Sequence, residues 1–286
     1  MTRARGTMHY LSHLAELGAT NLHPHGSAAT ARLIDCLDLG AGQRVLEIGC
    51  GTGETLMRVA LTADVTVMGV DVLPEMLCVA RRRLRLAGLQ SRAQTAEVRA
   101  GASFPFPDSN FDRIFMESVL GFQDAASAES LLSEVFRVLK DGGRFVSNEA
   151  VWRPSIPDEV VAATYQSCLV DFGLCHASEQ NWSAEDWCGA MRAAGFVVVS
   201  ADRLADVEPA EPGPHRPWSP PRLLLSRFVT TSCRIKASLS PRLLRQQLTY
   251  RGRLRQHRED GHLIEARLFV LEKPVQERID TRAAAP

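Results

Sequence analysis

The sequence predicts an α/β fold, a doubly wound seven-stranded and mostly parallel sheet with helical cap insertions, on three observations. Short apolar runs alternate with amphipathic stretches of helix length between residues 41 and 205. The first run, Val45-Leu46-Glu47-Ile48, leads straight into Gly49-Cys50-Gly51-Thr52-Gly53. The second ends on an acid, Asp71. Strands that alternate with helices pack as a parallel sheet covered on both faces. At 286 residues and 45% hydrophobic composition, the chain can bury one such domain and a small cap.

Residues 1–40 read as an N-terminal helical cap. Leu11, Leu14 and Leu17 share a face and Gly18 ends their helix; a second helix starts at Ser27, its N-cap, and carries Ala31, Ile34, Leu37 and Leu39. The core, 41–205, has expected strands at Arg44–Ile48, Val65–Val70, Gln94–Arg99, Phe111–Met116, Arg144–Asn148 and Phe196–Ser200. Helices are expected at Thr55–Leu61, Pro74–Ala87, Glu129–Leu139 and Ser183–Ala194. Pro74 opens its helix and Gly88 closes it, a well-punctuated element. Asp141-Gly142-Gly143 reads as a turn before the fifth strand. Two stretches break the rhythm: an insertion at 151–181 and a basic helical insertion at 206–261. The last strand lies within 262–273, and 274–286 reads as a tail.

Lys+Arg and Asp+Glu balance at 33 each, which argues against a general nucleic-acid binder. The seven cysteines form no CxxC pair, so a disulfide framework or a zinc site is not expected, and no metal site is assigned. No run approaches the roughly 18 apolar residues of a membrane span, and Met1–Ala19 has no apolar core of signal length. The expectation is a cytoplasmic chain without stable membrane insertion.

The glycines after the first strand permit a tight turn and close approach of a ligand to the backbone. Two phosphate-binding readings fail. A dinucleotide G-x-G-x-x-G motif needs glycine where Glu54 stands, and no Gly-Lys-Ser/Thr follows for a P-loop. Glu47 beside the turn suits a cationic ligand better than a pyrophosphate. Asp71, 22 positions after Gly49, can accept both hydroxyls of a ribose, while Val72, Leu73 and Met76 can supply apolar contacts to a base.

Glu47-x-Gly49-x-Gly51-x-Gly53, then Gly69-Val70-Asp71-x-x-Pro74-Glu75-Met76, then Phe104-Pro105-Phe106-Pro107-Asp108-Ser109-Asn110-Phe111-Asp112, then Arg137-Val138-Leu139-Lys140-Asp141-Gly142-Gly143 resembles the class I S-adenosylmethionine (SAM)-dependent methyltransferases. In style it is similar to the small-molecule enzymes of ubiquinone, sterol and tocopherol type. The resemblance covers residues 40–200. It implies SAM as methyl donor, with Glu47, Gly49, Gly51, Gly53, Asp71, Val72, Met76 and Glu117 around it. Members often carry an acid before the Pro-Phe-Pro-Asp segment; here Gly101 stands there, so Ala102 or Ser103 would contact adenine instead.

Ligands in open α/β sheets sit beyond the carboxyl ends of the strands. Glu117, ending the fourth strand, is therefore a candidate general base or substrate-orienting residue, or else a helix cap. Phe122 stands near where many relatives have a histidine. Glu149 ends the fifth strand, as a catalytic or a supporting group. Phe122, Trp152, Tyr165 and Trp182 could line an apolar pocket or simply fill the core. His23 and His25 precede the Ser27 helix, whose N-terminus could hold an anion; the alternative reading is a plain helix start.

From Arg216 to Arg258 there are eleven Lys/Arg and no Asp or Glu. This segment leaves the sheet from the same face as the cofactor, so it could roof the pocket with cations, or be a solvated face. A basic roof and aromatic walls suggest C-methylation of a prenyl diphosphate such as isopentenyl or geranyl diphosphate, with Mg²⁺ entering if the substrate is a diphosphate. Alternatives are an O-methyltransferase of a phenol or carboxylate, a nucleic-acid methyltransferase, and a non-catalytic fold-mate. The expected partner is a small-molecule substrate and not nucleic acid. The apolar faces of 216–258 leave room for a homodimer or a contact with an anionic membrane surface.

Overall fold

A computed structural model describes residues 3–175, 177–206 and 220–275. Its elements, in chain order, are α1 (Arg3–Glu16), α2 (Gly26–Leu37), β1 (Arg44–Ile48), α3 (Glu54–Thr62), β2 (Thr66–Asp71), α4 (Pro74–Leu86), β3 (Ala93–Glu97), β4 (Phe111–Glu117) and α5 (Ala125–Val138). There follow β5 (Leu139–Trp152), α6 (Asp158–Phe172), α7 (Ala184–Ala193), β6 (Val197–Arg203), α8 (Pro220–Ser238), α9 (Pro241–Gln256) and β7 (Ile264–Glu272).

The seven strands run in the order β3-β2-β1-β4-β5-β7-β6. β1 to β5 are parallel, and β7 inserts antiparallel between β5 and β6. Strand order reverses between β1 and β4, so the crevice beyond their carboxyl ends is the expected ligand site of such a sheet. β1 and β4 read as buried strands because apolar side chains face both ways: Val45, Leu46, Ile48, Ile114, Phe115 and Met116 are all buried. One apolar layer, with Leu33, Leu37, Met57 and Leu268, fills one face of the sheet; another, with Leu132, Phe145, Trp187 and Phe269, fills the opposite face.

Helix punctuation follows local chemistry. Asp124 caps α5 by accepting from the Ser127 amide at 2.8 Å. Ser183 and Asp186 form a capping box on α7. Two expectations need correction. Ser27 does not cap α2: the helix begins at Gly26, and His25, in left-handed backbone at φ 59°, precedes it without a side-chain cap. Asp141-Gly142-Gly143 is not a turn ahead of a five-residue strand. β5 runs unbroken from Leu139 to Trp152, and the glycine pair lies in a bulge where its register against β4 shifts between Phe111 and Arg113.

The insertion after β5 supplies α6, and the later one supplies α8 and α9. α8 packs on α4 and α1, and α9 packs on α6 and α8. Arg216 and the tail beyond residue 275 lie outside the described residues, as does the side chain of Arg222.

Candidate active site

The loop after β1 is a backbone device. Gly49, Gly51 and Gly53 all have left-handed φ, at 70°, 49° and 76°. A Cβ on Gly49 would sit 2.6 Å from Val119 Cγ2, and one on Gly53 would sit 2.8 Å from Ala80 Cβ. The amides of Gly49 and Cys50 both donate to the Val70 carbonyl, at 2.8 and 3.0 Å, which folds the loop back over the end of β2. Glycine is therefore required at Gly49 and Gly53 by both conformation and space.

Three carboxylates converge there. Asp71, at the end of β2, accepts from the amides of Gly51 (2.8 Å, on Oδ2) and Leu73 (2.9 Å, on Oδ1). Each oxygen keeps a second acceptor position, which is what two ribose hydroxyls require. Burial pushes the Asp71 carboxyl up, against the lowering pull of those amides. Glu47 is buried, and its Oε2 has no hydrogen-bond partner. Burial, then the charges of Glu117 and Asp71, hold its carboxyl well above the usual range. A buried acceptor left unmatched beside two like charges is an electrostatic demand for a cation.

Glu117, at the end of β4, is not a loose group at a mouth. Thr55 donates to its Oε2 at 2.8 Å, Thr30 lies 3.1 and 3.3 Å from its two oxygens, and His23 Nε2 lies 3.3 Å from Oε1. His23 Nδ1 is 3.1 Å from the Asn148 amide nitrogen. With that amide donating, Nδ1 accepts and Nε2 carries the proton toward Glu117 and Thr30. Thus His23 joins the carboxylate site through its ring, and not by lying at a helix N-terminus. His25 is exposed and belongs to neither the carboxylate network nor the cavity described below.

Glu149 also departs from expectation. Its side chain is fully buried beneath the segment that follows β4, not projecting into the mouth. It accepts from Ser147 Oγ at 2.8 Å and from the amides of Val119 and Gly121 at 3.1 and 3.3 Å. Burial pushes its carboxyl up to about 7, partly offset by those donors. The residue organises the loop that carries Ser118, at φ 55°, and Val119, which in turn presses on Gly49.

On the adenine side, Leu73 and Met76 are buried against Ala15 of α1, and Val72 is exposed beside Asp71. Ala102 and Ser103 are exposed after β3. The Ala102 amide donates to the Arg99 carbonyl at 3.1 Å, which fixes the loop that carries both residues.

Against α1 lies a cavity of about 180 Å³. Tyr10, Trp152, Phe172, Leu174, Leu254 and Ile264 give it an apolar wall, and Cys168, His257 and Asp260 are among its polar groups. Leu11 and Leu14 of α1 touch both the Leu73–Met76 cluster and the Tyr10–Phe172 cluster, so one helix borders both compartments. Of the aromatics expected to line a pocket, Trp152 does, with its indole N–H donating to the Ser178 carbonyl at 2.9 Å. Phe122 packs behind Tyr10 and Phe172 instead, Tyr165 packs behind Trp152, and Trp182 stacks edge-on with Trp187 in the core.

Other members of the site were not read from the sequence. His257 lies 2.9 Å from Asp171 and 2.8 Å from Asp260, and Arg253 pairs with Asp171 at 3.2 Å. Burial lowers the His257 pKa, but the two carboxylates outweigh it and the net shift is upward. Arg83, fully buried, pairs with Glu54 at 3.1 Å and reaches Thr230 of α8 at 3.2 Å; Ser226 of α8 also donates to Glu54. Glu54, the residue that excluded a dinucleotide motif, thus fastens the insertion to the glycine loop. A signal existed for Arg83: it sits among Met76, Leu77, Ala80 and Leu84 on the buried face of α4.

The basic roof needs correction too. None of the nine Lys/Arg of 216–258 whose side chains are described is among the residues lining the cavity; Arg216 and the Arg222 side chain lie outside the described residues. Arg227, Arg234, Lys236, Arg245, Arg251, Arg255 and Arg258 are exposed, Arg253 pairs with Asp171, and Arg242 with Glu16.

A crevice at the switch point, glycines without room for a side chain, an acid for a ribose and an unmatched carboxylate define a nucleoside-binding α/β protein whose ligand is cationic. Comparison with known proteins carries this further. A methyltransferase domain family matches residues 45–143. The demethylmenaquinone methyltransferase of Symbiobacterium thermophilum is 40% identical over 183 residues, 57% of this chain and 72% of that protein. Methyltransferase GfsG of Streptomyces halstedii is 33% identical over 146 residues, and the match spans only 51% of either chain. Among solved structures, the cyclase SpnF superposes with a TM-score of 0.69 at 20% identity, over 96% of this chain and 97% of that one. Geranyl diphosphate methyltransferase with GPP and sinefungin gives 0.59 at 18% identity, over 87% and 78%. The chain belongs to the class I SAM-dependent methyltransferases of small-molecule type.

Proposed function

We propose that the protein transfers the methyl group of SAM to a small, uncharged, apolar acceptor bearing a hydroxyl, held in the cavity between α1, α6, α9 and the ends of β5 and β7. The carrying observation is that cavity, apolar on most of its wall and bordered, like the nucleoside crevice, by helix α1. SAM, when bound, supplies an electrophilic methyl on a sulfonium.

The chain's own residues do the rest. Asp71 holds the ribose, and the loop 49–53 lets the ligand reach the backbone. Glu47 and Glu117 supply negative potential for the ammonium and sulfonium, which makes Glu117 an electrostatic group and not a base. The Glu149-anchored loop fixes Val119 against Gly49. Closing both compartments under α1 excludes water and aligns donor with acceptor; orientation of this kind contributes about 7–11 kcal/mol. At the cavity wall Asp260 can hold the acceptor hydroxyl and accept its proton, oriented by His257, whose two ring nitrogens are engaged by Asp260 and Asp171.

The prenyl diphosphate reading requires cations at the acceptor, and among the described residues the cavity wall presents a carboxylate and an imidazole with no guanidinium or ammonium. Magnesium was tied to that diphosphate. Among the described residues no three acid, histidine or cysteine side chains converge to hold a metal, so no step is derived through one. Relatives named for demethylmenaquinone and for 24-methylenesterol are in keeping with an apolar acceptor.

The test is incubation of the protein with methyl-labelled SAM and two panels, apolar phenols and quinols against prenyl diphosphates, read by mass spectrometry. Labelled product from the first panel, weakened by Trp152→Ala, is expected. Product from the diphosphates alone overturns the acceptor assignment.

A further inference from the structure

The outer surface of α8 and α9 is unlike the rest of the molecule. On α8, Leu224, Phe228, Ile235 and Leu239 stand 60%, 59%, 56% and 79% exposed. Their spacing of four, seven and four places them on one stripe of the helix. The same periodicity sets Arg227 and Arg234 along one edge of the stripe and Lys236 along the other. The opposite face is buried: Ser226, Val229, Cys233 and Ala237 pack inward, where Thr230 donates to the Gly18 carbonyl at 2.9 Å. On α9, Leu244 and Leu248, 40% and 67% exposed, share their face with Arg251 and Arg255, and Arg258 and Arg245 flank it. None of these seven cations forms an ion pair with a described residue, and no Asp or Glu occurs between 216 and 258.

Exposed apolar stripes mark interaction surfaces, and this one is edged by cations alone. An isologous homodimer through it would bring like charges together with no acid to answer them. A nucleic-acid track would use the cations and gain nothing from four exposed apolar side chains. An anionic bilayer surface satisfies both: side chains such as Phe228 and Leu239 enter the headgroup boundary while the cations meet lipid phosphates. No helix among the described residues is long and apolar enough to cross a membrane, so the contact is peripheral.

We propose that the α8–α9 face docks on anionic lipid bilayers. The flank of α9 carries Leu254, and its inward side His257, into the cavity wall. The docked helix and the wall of the acceptor cavity are then the same element, a short route for an apolar acceptor out of lipid.

The experiment is co-sedimentation of the full chain, without SAM or acceptor, with vesicles of phosphatidylcholine alone and with phosphatidylglycerol added. Its outcome therefore does not depend on the acceptor assignment. Binding to the anionic vesicles at least about tenfold tighter, and reversed by high salt, is expected; each basic residue at such a surface is worth roughly a fivefold change. Arg251→Glu/Arg255→Glu/Arg258→Glu should lose at least about a hundredfold. Phe228→Ser/Leu239→Ser should weaken binding roughly tenfold while keeping the preference for anionic lipid. All these positions are exposed, so circular dichroism should match the parent. Equal binding to both vesicles, no binding, or undiminished binding by the triple variant overturns the proposal. So does a dimer in ultracentrifugation that the same substitutions dissolve, or salt-sensitive binding to nucleic acid in its place.

Discussion

The two compartments that α1 borders solve the problem of holding a ligand with different materials. The nucleoside crevice is built from backbone: three left-handed glycines, amides that orient Asp71 and Glu149, and buried carboxylates left short of positive charge. The acceptor cavity is built from side chains on inserted helices, and there the charges are matched: His257 between Asp171 and Asp260, and Arg253 on Asp171. The crevice is electrostatically unfinished without its ligand. The cap is self-sufficient, so it can vary with the substrate while the crevice keeps one cofactor.

This contrast can be broken experimentally. The largest effect is expected at Gly49→Val, which meets Val119 at 2.6 Å already at its Cβ and in a left-handed backbone. SAM binding should fall by more than about a hundredfold, at about 1.4 kcal/mol per decade, while substitution of Gly252, which has no atoms within 4 Å of an added Cβ, leaves binding unchanged. Calorimetry on both variants checks it.

Next comes Arg83→Met. Removing one partner of a buried ion pair costs about 3–5 kcal/mol; here the lower end is expected, because Glu54 keeps Arg58 on Oε1 at 3.2 Å while its Oε2 is left facing Ser226. A denaturant midpoint measures the loss, and hydrogen exchange should show α8 released together with the glycine loop.

Glu149→Ala should be milder. It orphans the Val119 and Gly121 amides, at about 1–3 kcal/mol for each donor left buried, and loosens the loop against Gly49. Because the Glu149 carboxyl is raised to about 7, its contribution is full below the ordinary carboxyl range and is lost as pH rises through about 7. The wild type should therefore lose loop protection in that window, and Glu149→Ala should not.

The smallest effect belongs to the cap. His257 titrates above its ordinary value, so its pairing stabilises fully below about 6.5 and weakens as pH climbs past the raised value. Amide exchange in α9 should quicken above neutrality, and His257→Gln should flatten that profile.

The same contrast explains what could be read from the sequence. Gly49, Gly53 and Asp71 were legible because a backbone requirement restricts the residue type, and a strand followed by alternating glycines has few other uses. Glu117 was placed correctly at the end of β4, but its partners Thr30 and Thr55 come from helices far away in sequence, and nothing local marks them. Of the two roles read for Glu149, its buried contacts fit the supporting one, while β5 was read too short at its start because glycines at 142 and 143, which look like a turn, sit in a bulge. The basic segment was read for its charge and not its facing. Helical periodicity in 224–239 already separated an apolar stripe from a buried face, but only packing on α1 and α4 decides which of the two turns outward. The His257–Asp171 pair joins α9 to α6 across 86 residues and left no trace in either segment alone.

Calorimetry of SAM binding in buffers of differing ionisation enthalpy tests the central claim most directly. A cation arriving beside Glu47, Asp71 and Glu117 should lower the raised Glu47 carboxyl, so binding should release protons, tighten as pH rises, and disappear in Asp71→Ala. Absence of binding, or binding indifferent to Asp71 and to pH, would contradict it.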